Sequence, residues 1–211
     1  MLGLQYGDEG KGKIVDWLSE WYDFVVRFNG GNNAGHTIVS DGNTIALHLV
    51  PSGIIQRKKC VIGNGVNINL EALVTELDLI QRTFGFDPRP FLYISERAHV
   101  IFGEDTDKSK VDSNSTGKGI RESYARKFYR AGVTIADLLD IQLFGQNDLR
   151  FIFKDIDKYA RIAADFKDSI VDVSLLLEEE RRKGKQILLE GAQGSGLDID
   201  YGQYPFVTSS S

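Results

Sequence analysis

Cysteine is almost missing from this chain: 211 residues carry one, Cys60, within the apolar run Cys60-Val61-Ile62. A lone cysteine excludes an internal disulfide framework, fits a reducing cytosol, and reads as a small buried hydrophobe rather than a nucleophile. Long apolar runs are missing too. No stretch approaches the roughly 20 residues of a membrane span and no secretory signal opens the chain, so a cytoplasmic protein with no membrane partner is expected. Excess positive charge is also absent. Lys and Arg number 25 against 30 Asp and Glu, a net charge of −5. No nucleic-acid partner is therefore expected, and any basic site has to be local. With no internal repeat and no low-complexity linker, residues 1–211 read as a single α/β domain of ordinary composition, 42% hydrophobic and 26% charged.

The densest chemistry lies in Gln5 to Lys13, QYGDEGKGK, between the short apolar start Met1-Leu2-Gly3-Leu4 and the apolar run Ile14-Val15-Asp16-Trp17-Leu18. That order predicts strand, glycine-rich turn, helix. Such a turn offers unpaired backbone N–H groups and a helix N-terminus to an anion. Gly7, Gly10 and Gly12 let the backbone approach it, Lys11 and Lys13 add positive charge, and Asp8 or Glu9 can hold Mg²⁺ or take a proton. Spacing from Gly7 to Gly12-Lys13 nearly matches a phosphate loop, yet Ile14 stands where that motif needs a metal-ligating Ser or Thr. A glycine-rich turn with solvated charges is the plain alternative.

Along the chain, strands are expected over Asp23–Phe28, Cys60–Gly63, Phe91–Ile94, Ala98–Phe102 and Gln186–Glu190. Thr37–Ser40 and Thr44–Val50 form a hairpin turned by Asp41-Gly42-Asn43. Asn69 should cap a helix ending near Phe84. Gly103–Gly119 is polar and turn-rich, and an irregular, mobile connection is expected there. Arg121–Tyr129 and a segment from Thr134 are helical. One long helix is expected from Ile156 to Lys183, on the stripe Tyr159, Ala163, Phe166, Ile170, Val173, Leu177. Strands alternating with helices indicate an α/β fold: a mostly parallel central sheet with flanking helices and a phosphate-loop-like site at the strands' C-terminal ends.

Two further loops carry polar groups. Gly30-Gly31-Asn32-Asn33-Ala34-Gly35-His36-Thr37 follows a strand and is too rich in hydrogen-bonding groups for core or ordinary turn, so His36 reads as a site residue. His48 and His99 read as surface or satisfied core. Asn114-Ser115-Thr116-Gly117-Lys118-Gly119 precedes a helix and can bind phosphate, and one of Arg121, Arg126, Lys127 and Arg130 can reach an anion.

Together QYGDEGKGKIVD, VRFNGGNNAGHTIV, LHLVPSGI, IGNGV, STGKGI and EGAQGSGLDIDYGQYPFVTSS strongly resemble the adenylosuccinate synthetase family, in order from Leu4 to Ser211. The resemblance implies GTP-dependent ligation of IMP and L-aspartate, with Mg²⁺, giving adenylosuccinate, GDP and phosphate. It implies that Asp8 takes the N1 proton of IMP and binds Mg²⁺, that the Gly35 carbonyl is a second metal ligand, and that His36 acts on the transferring phosphoryl group. Asp8 as metal ligand would account for Ile14. Gly7, Asp8, Glu9, Gly10, Lys11, Gly12 and Lys13 would lie between the two nucleotides. Asn33, Ala34, Thr116, Gln193 and Thr208 would line the IMP side and Thr37 would touch a GTP phosphate. Arg130 would reach the IMP 5′-phosphate in the neighbouring subunit of a homodimer. Two departures stand out: Lys118 replaces the usual arginine, and Arg121-Glu122-Ser123 replaces Gly-Pro-Ala. Family segments that bind aspartate and read guanine are not in these residues, so an apparently truncated domain is expected, and alone it should bind IMP weakly without turnover. The alternatives are a non-catalytic nucleotide-binding relative, a 2-aminoadenylosuccinate synthetase variant, which the carboxylate of Asp8 disfavours, and a generic phosphate-loop NTPase.

Overall fold

The computed structural model describes residues 1–111, 115–140 and 153–210. Its centre is a five-stranded, fully parallel sheet. The strands are β1 (Phe24–Arg27), β4 (Lys59–Ile62), β6 (Leu92–Ser95), β8 (Ile170–Val171) and β9 (Ile187–Glu190), in the order β8-β6-β4-β1-β9. From β1 the chain steps outward through β4, β6 and β8, then crosses back to place β9 on the other side of β1. The direction of winding reverses between β1 and β9, which is where open α/β sheets bind ligands beyond their strand ends.

Alternation along the strands divides the core. Val25, Cys60, Ile62, Leu92, Ile94 and Leu188 face one layer with α1 (Lys11–Leu18) and α2 (Leu70–Phe84). Phe24, Val26 and Val61 face the other, under α7 (Val173–Arg182). Each such side chain, fully buried, contributes about 1.5–3 kcal/mol relative to exposure. Cys60 is fully buried and burial pushes its thiol pKa well up, as expected of a packing residue. Among the described residues no helix is long and apolar enough to cross a membrane.

Several expected elements are present. β2 (His36–Ser40) and β3 (Asn43–Leu47) pair antiparallel, with Asp41 and Gly42 both at positive φ as a tight primed turn requires. Asn69 caps α2, its Oδ1 accepting from Ala72 N at 2.9 Å, and Gly85 closes the helix in the left-handed conformation. α4 (Ile120–Phe128) and α5 (Ile135–Leu139) also fall as expected, α5 capped by Thr134. β5 (Asn67–Ile68) and β7 (His99–Val100) form a small parallel pair beside the main sheet.

Three expectations fail. Met1–Leu4 is not a strand; it touches the end of β9 through only two backbone bonds, Met1 N to Leu189 O and Gly191 N to Met1 O. Gly103–Lys110 is a helix, α3, rather than an irregular connection. Its first turn is held by Asp105, which accepts from Phe102 N at 2.9 Å and pairs with Arg126 of α4. Residues 112–114 lie outside the described residues. The long helix is broken into α6 (Ile156–Asp165), a 3₁₀ turn, β8 and α7. Ile170-Val171 pairs with Ile94-Ser95 to extend the sheet, and Asp172 caps α7 by accepting from Leu175 N at 3.1 Å. Sheet pairing outweighs the helical period there.

Candidate active site

β1 and β9 end in a matched pair of charges. Arg27 and Glu190 are register partners, and both side chains are fully buried. The Arg27 guanidinium donates to the carbonyls of His48 at 3.2 Å and Gly31 at 3.3 Å, tying the asparagine-rich loop to the hairpin. Burial lowers its pKa, opposed by the charges of Glu190 and Glu76. Burial pushes the Glu190 carboxyl up. The hydrogen bond and charge of His36, the charge of Arg27 and the hydroxyl of Ser52 outweigh it and hold Glu190 below the usual range.

His36 opens β2 and is buried, its Nδ1 bonded to Glu190 Oε1. A carboxylate can only accept, so Nδ1 carries the proton and Nε2 is the ring atom left for a ligand. Ser52 completes the support, donating its hydroxyl to Oε1 at 2.7 Å and its N–H to Oε2 at 2.8 Å. This orients an imidazole as hydrolytic triads do, with a carboxylate fixing tautomer and direction.

The glycine-rich turn packs against that histidine. Helix α1 starts after Gly10, which is at φ 81° with no side-chain cap, so its first N–H groups lack the capping side chain that commonly satisfies them. Gly12 is required by contact: a Cβ there would fall 2.5 Å from His36 Cβ. Lys11 is buried beneath the turn, its Nζ donating to Gly7 O at 3.0 Å and pairing with Glu9 at 3.5 Å. Glu9 also accepts from Gln5 N at 2.6 Å. Asp8 is exposed at the rim, as are Gly35 and Thr37.

The loop after β9 forms the opposite wall. Ser195 N donates to Gly3 O at 3.0 Å and Gly196 N to Gln5 O at 2.7 Å, clamping the turn. Gln193 sits at φ 57°; a Cβ at Gly7 would lie 3.2 Å from Gln193 Cα, and one at Gly30 would fall 2.7 Å from Ala192 Cβ. Its Nε2 is buried without a partner, as is Oδ1 of Asn33. Thr208 joins through Ser210, whose hydroxyl donates to Gln193 Oε1 at 3.1 Å. Tyr124 of α4 holds the loop from behind, accepting from Gly30 N at 3.2 Å and donating to Gly65 O at 2.6 Å. Burial pushes its phenol up to about 12, so it stays a neutral donor.

Residues 7–13, 33–37, Gln193 and Thr208 are thus brought together. Thr116 precedes α4 and Arg130 follows it, at opposite ends of a helix roughly 13 Å long at 1.5 Å per residue. Glu190, Ser52 and Arg27 were not singled out in the sequence, although a charge closing each of two apolar strands, FVVR and ILLE, is a usable signal.

The adenylosuccinate synthetase family model matches residues 1–211, the whole chain. The chain belongs to the adenylosuccinate synthetase family. Adenylosuccinate synthetases of Desulforapulum autotrophicum and Brevibacillus brevis are each 44% identical over all of the chain, which covers 55% of either relative. A fully ligated adenylosuccinate synthetase from Plasmodium falciparum superposes with a TM-score of 0.85 at 34% identity, over 99% of this chain and 54% of that one. A succinoaminodeoxyadenylate synthetase of cyanophage S-2L, bound to dGMP and dATP, has a TM-score of 0.70 at 19% identity over 99% of this chain and 54% of its own, a likeness of fold alone. The chain therefore spans about 55% of the length of the adenylosuccinate synthetases it matches.

Proposed function

We propose that this chain supplies the IMP-activating half of an adenylosuccinate synthetase, which joins IMP and L-aspartate at the expense of GTP. Two buried side-chain amide atoms without partners, Oδ1 of Asn33 and Nε2 of Gln193, carry this reading. Orphaned buried polar atoms are unfavourable, and both residues stand where the family contacts IMP. Asp8 removes the N1 proton of IMP, placing negative charge on O6, and O6 attacks the γ-phosphorus of GTP as GDP departs. His36 acts as an imidazolium, its Nδ1 donating to Glu190 and its protonated Nε2 donating to the phosphoryl group in transit. The amine of aspartate then attacks C6 and phosphate leaves. Backbone N–H groups of the turn stabilise charge on the phosphates without reorganising.

Mg²⁺ suits the available donors. Asp8 supplies a carboxylate and Gly35 a carbonyl beside open space, and no group of three metal-ligating side chains occurs among the described residues. Mg²⁺ typically takes one or two protein oxygens and completes its shell from phosphates and water, and when bound it neutralises phosphate charge. Thr116 and Arg130 lie at opposite ends of α4, and by resemblance to the family the protein is a cytoplasmic homodimer in which Arg130 serves the neighbouring site.

The natural polypeptide carrying this sequence should form adenylosuccinate only with IMP, GTP and aspartate together, and should sediment as a dimer. Asp8→Asn should lower kcat by at least about 10³-fold, since base and charge are lost together, while IMP affinity changes little. Turnover retained in Asp8→Asn would remove Asp8 from the role of base.

A further inference from the structure

We infer that the groove between α2 and the β2–β3 hairpin binds a small amphipathic carboxylate. A cavity of about 410 Å³ lies there, the size of a small-molecule site. Its apolar walls come from Ile45 on β3 and from Ala72 and Leu79 on α2, and its polar groups include Asn32, His48 and Lys118.

These polar groups are unequally engaged. Glu76 also lines the cavity, but its carboxylate already accepts from the N–H groups of His48, Leu49 and Val50, at 3.0 Å in the closest contact to each. Nδ1 of His48 donates to Ala34 O at 2.6 Å. Asn32 is 7% exposed and its Oδ1 has no partner. The unmet needs are thus one N–H donor for Asn32 and one anion for exposed Lys118, in a groove with apolar walls. A flat apolar ring bearing an N–H and a carboxylate meets all three.

The groove shares two segments with the proposed nucleotide site, since Asn32 adjoins Asn33 and Lys118 follows Thr116 by two residues. His36 turns to Glu190, whereas His48 turns to Ala34 on the other side of the same loop. Asn32 and Ala34 flank Asn33, and Arg27 holds both His48 and Gly31. A ligand contacting Asn32 and His48 therefore biases the position of Asn33 and Gly35, a coupling that works in both directions.

Indole-3-acetate carries the required ring, N–H and carboxylate, and serves as the probe in an amide NMR titration of this chain. Saturable shifts are expected at Asn32, His48 and Leu79, with an affinity on the order of 1 mM for a ligand of about 13 heavy atoms. Shifts at Gly35 and His36 should accompany them. Thr75→Trp fills the cavity from an exposed helix position and should weaken binding about tenfold or more. Lys118→Gln, and indole in place of the acid, should each weaken it about fivefold, the loss of one exposed charge contact. The proposal is overturned if shifts fail to saturate or map elsewhere. Unchanged affinity in both variants overturns it as well.

Discussion

A carboxylate with no solvent exposure, Glu190, ends β9 beside an equally buried guanidinium and holds the histidine of the site. Glu190→Gln keeps the shape and removes the charge. Arg27 is then left uncompensated and the acceptor facing His36 Nδ1 loses its charge. Breaking a buried charge set in this way costs about 3 kcal/mol, read as a lower urea midpoint with unchanged slope. The pH dependence has a definite sign. The folded-state pKa of Glu190 lies below its unfolded value near 4.5, so its stabilisation is present above pH ~4.5 and is lost as pH falls through the lower folded value. The stability gap between wild type and Glu190→Gln should narrow below pH ~4.5, because a protonated Glu190 resembles glutamine. A constant gap from pH 7 to pH 3 would exclude this role. Asp8, Lys11 and His36 were legible in the sequence because dense glycine and amide loops have no structural use for them. Glu190 was not, since its partner lies 154 residues away and the charge closing ILLE gains meaning only when β9 is set beside the matching charge of FVVR.

At the scale of elements, the site depends on how closely α1 approaches β2. Gly12 allows it. In Gly12→Ala the new methyl would meet both Cβ and Cα of His36, at 2.5 and 2.9 Å, and Cα cannot swing aside like a side-chain tip. Helix or strand must move, at a cost of about 1–3 kcal/mol, or a fall in Tm of roughly 2–12 °C for a chain of this size. Nucleotide binding should fall further than stability, because the shift separates the turn from His36. A variant that binds IMP like wild type would show that the close approach serves packing alone. Elements with local signals were legible: Asn69 and Gly85 bound α2, and Asp41-Gly42 turns the hairpin. α3 was not, because its segment has almost no apolar residue and its order comes from Asp105 meeting a distant Arg126. The break at Ile170-Val171 was not either. Its apolar residues continue the helical stripe, and only pairing with β6 makes them a strand. Asp172 as a cap was the local clue.

The whole molecule enters through the reversal of winding between β1 and β9. The turn at residues 5–13 comes first in the chain, but its far wall is residues 191–196, which take their place only when β9 has crossed to β1. The two-walled turn is thus a product of the assembled sheet, not a local motif. Gly194 is the point of contact: a Cβ there would fall 2.5 Å from Gln5 O and 2.7 Å from Gly7 N, both backbone atoms. Gly194→Ala should release the turn without opening the sheet, since β1, β4 and β6 bury their side chains independently of it. Amides in residues 5–13 should then exchange about tenfold faster or more, the equivalent of roughly 1.4 kcal/mol of local stability, while those of Val25, Val26 and Val61 stay unchanged. Equal acceleration in the turn and in β1 would mean that clamp and sheet are one cooperative unit. Unequal acceleration would mean that the two loops meet as separate parts, with enough freedom between them for a base to enter beside Asn33 and Gln193.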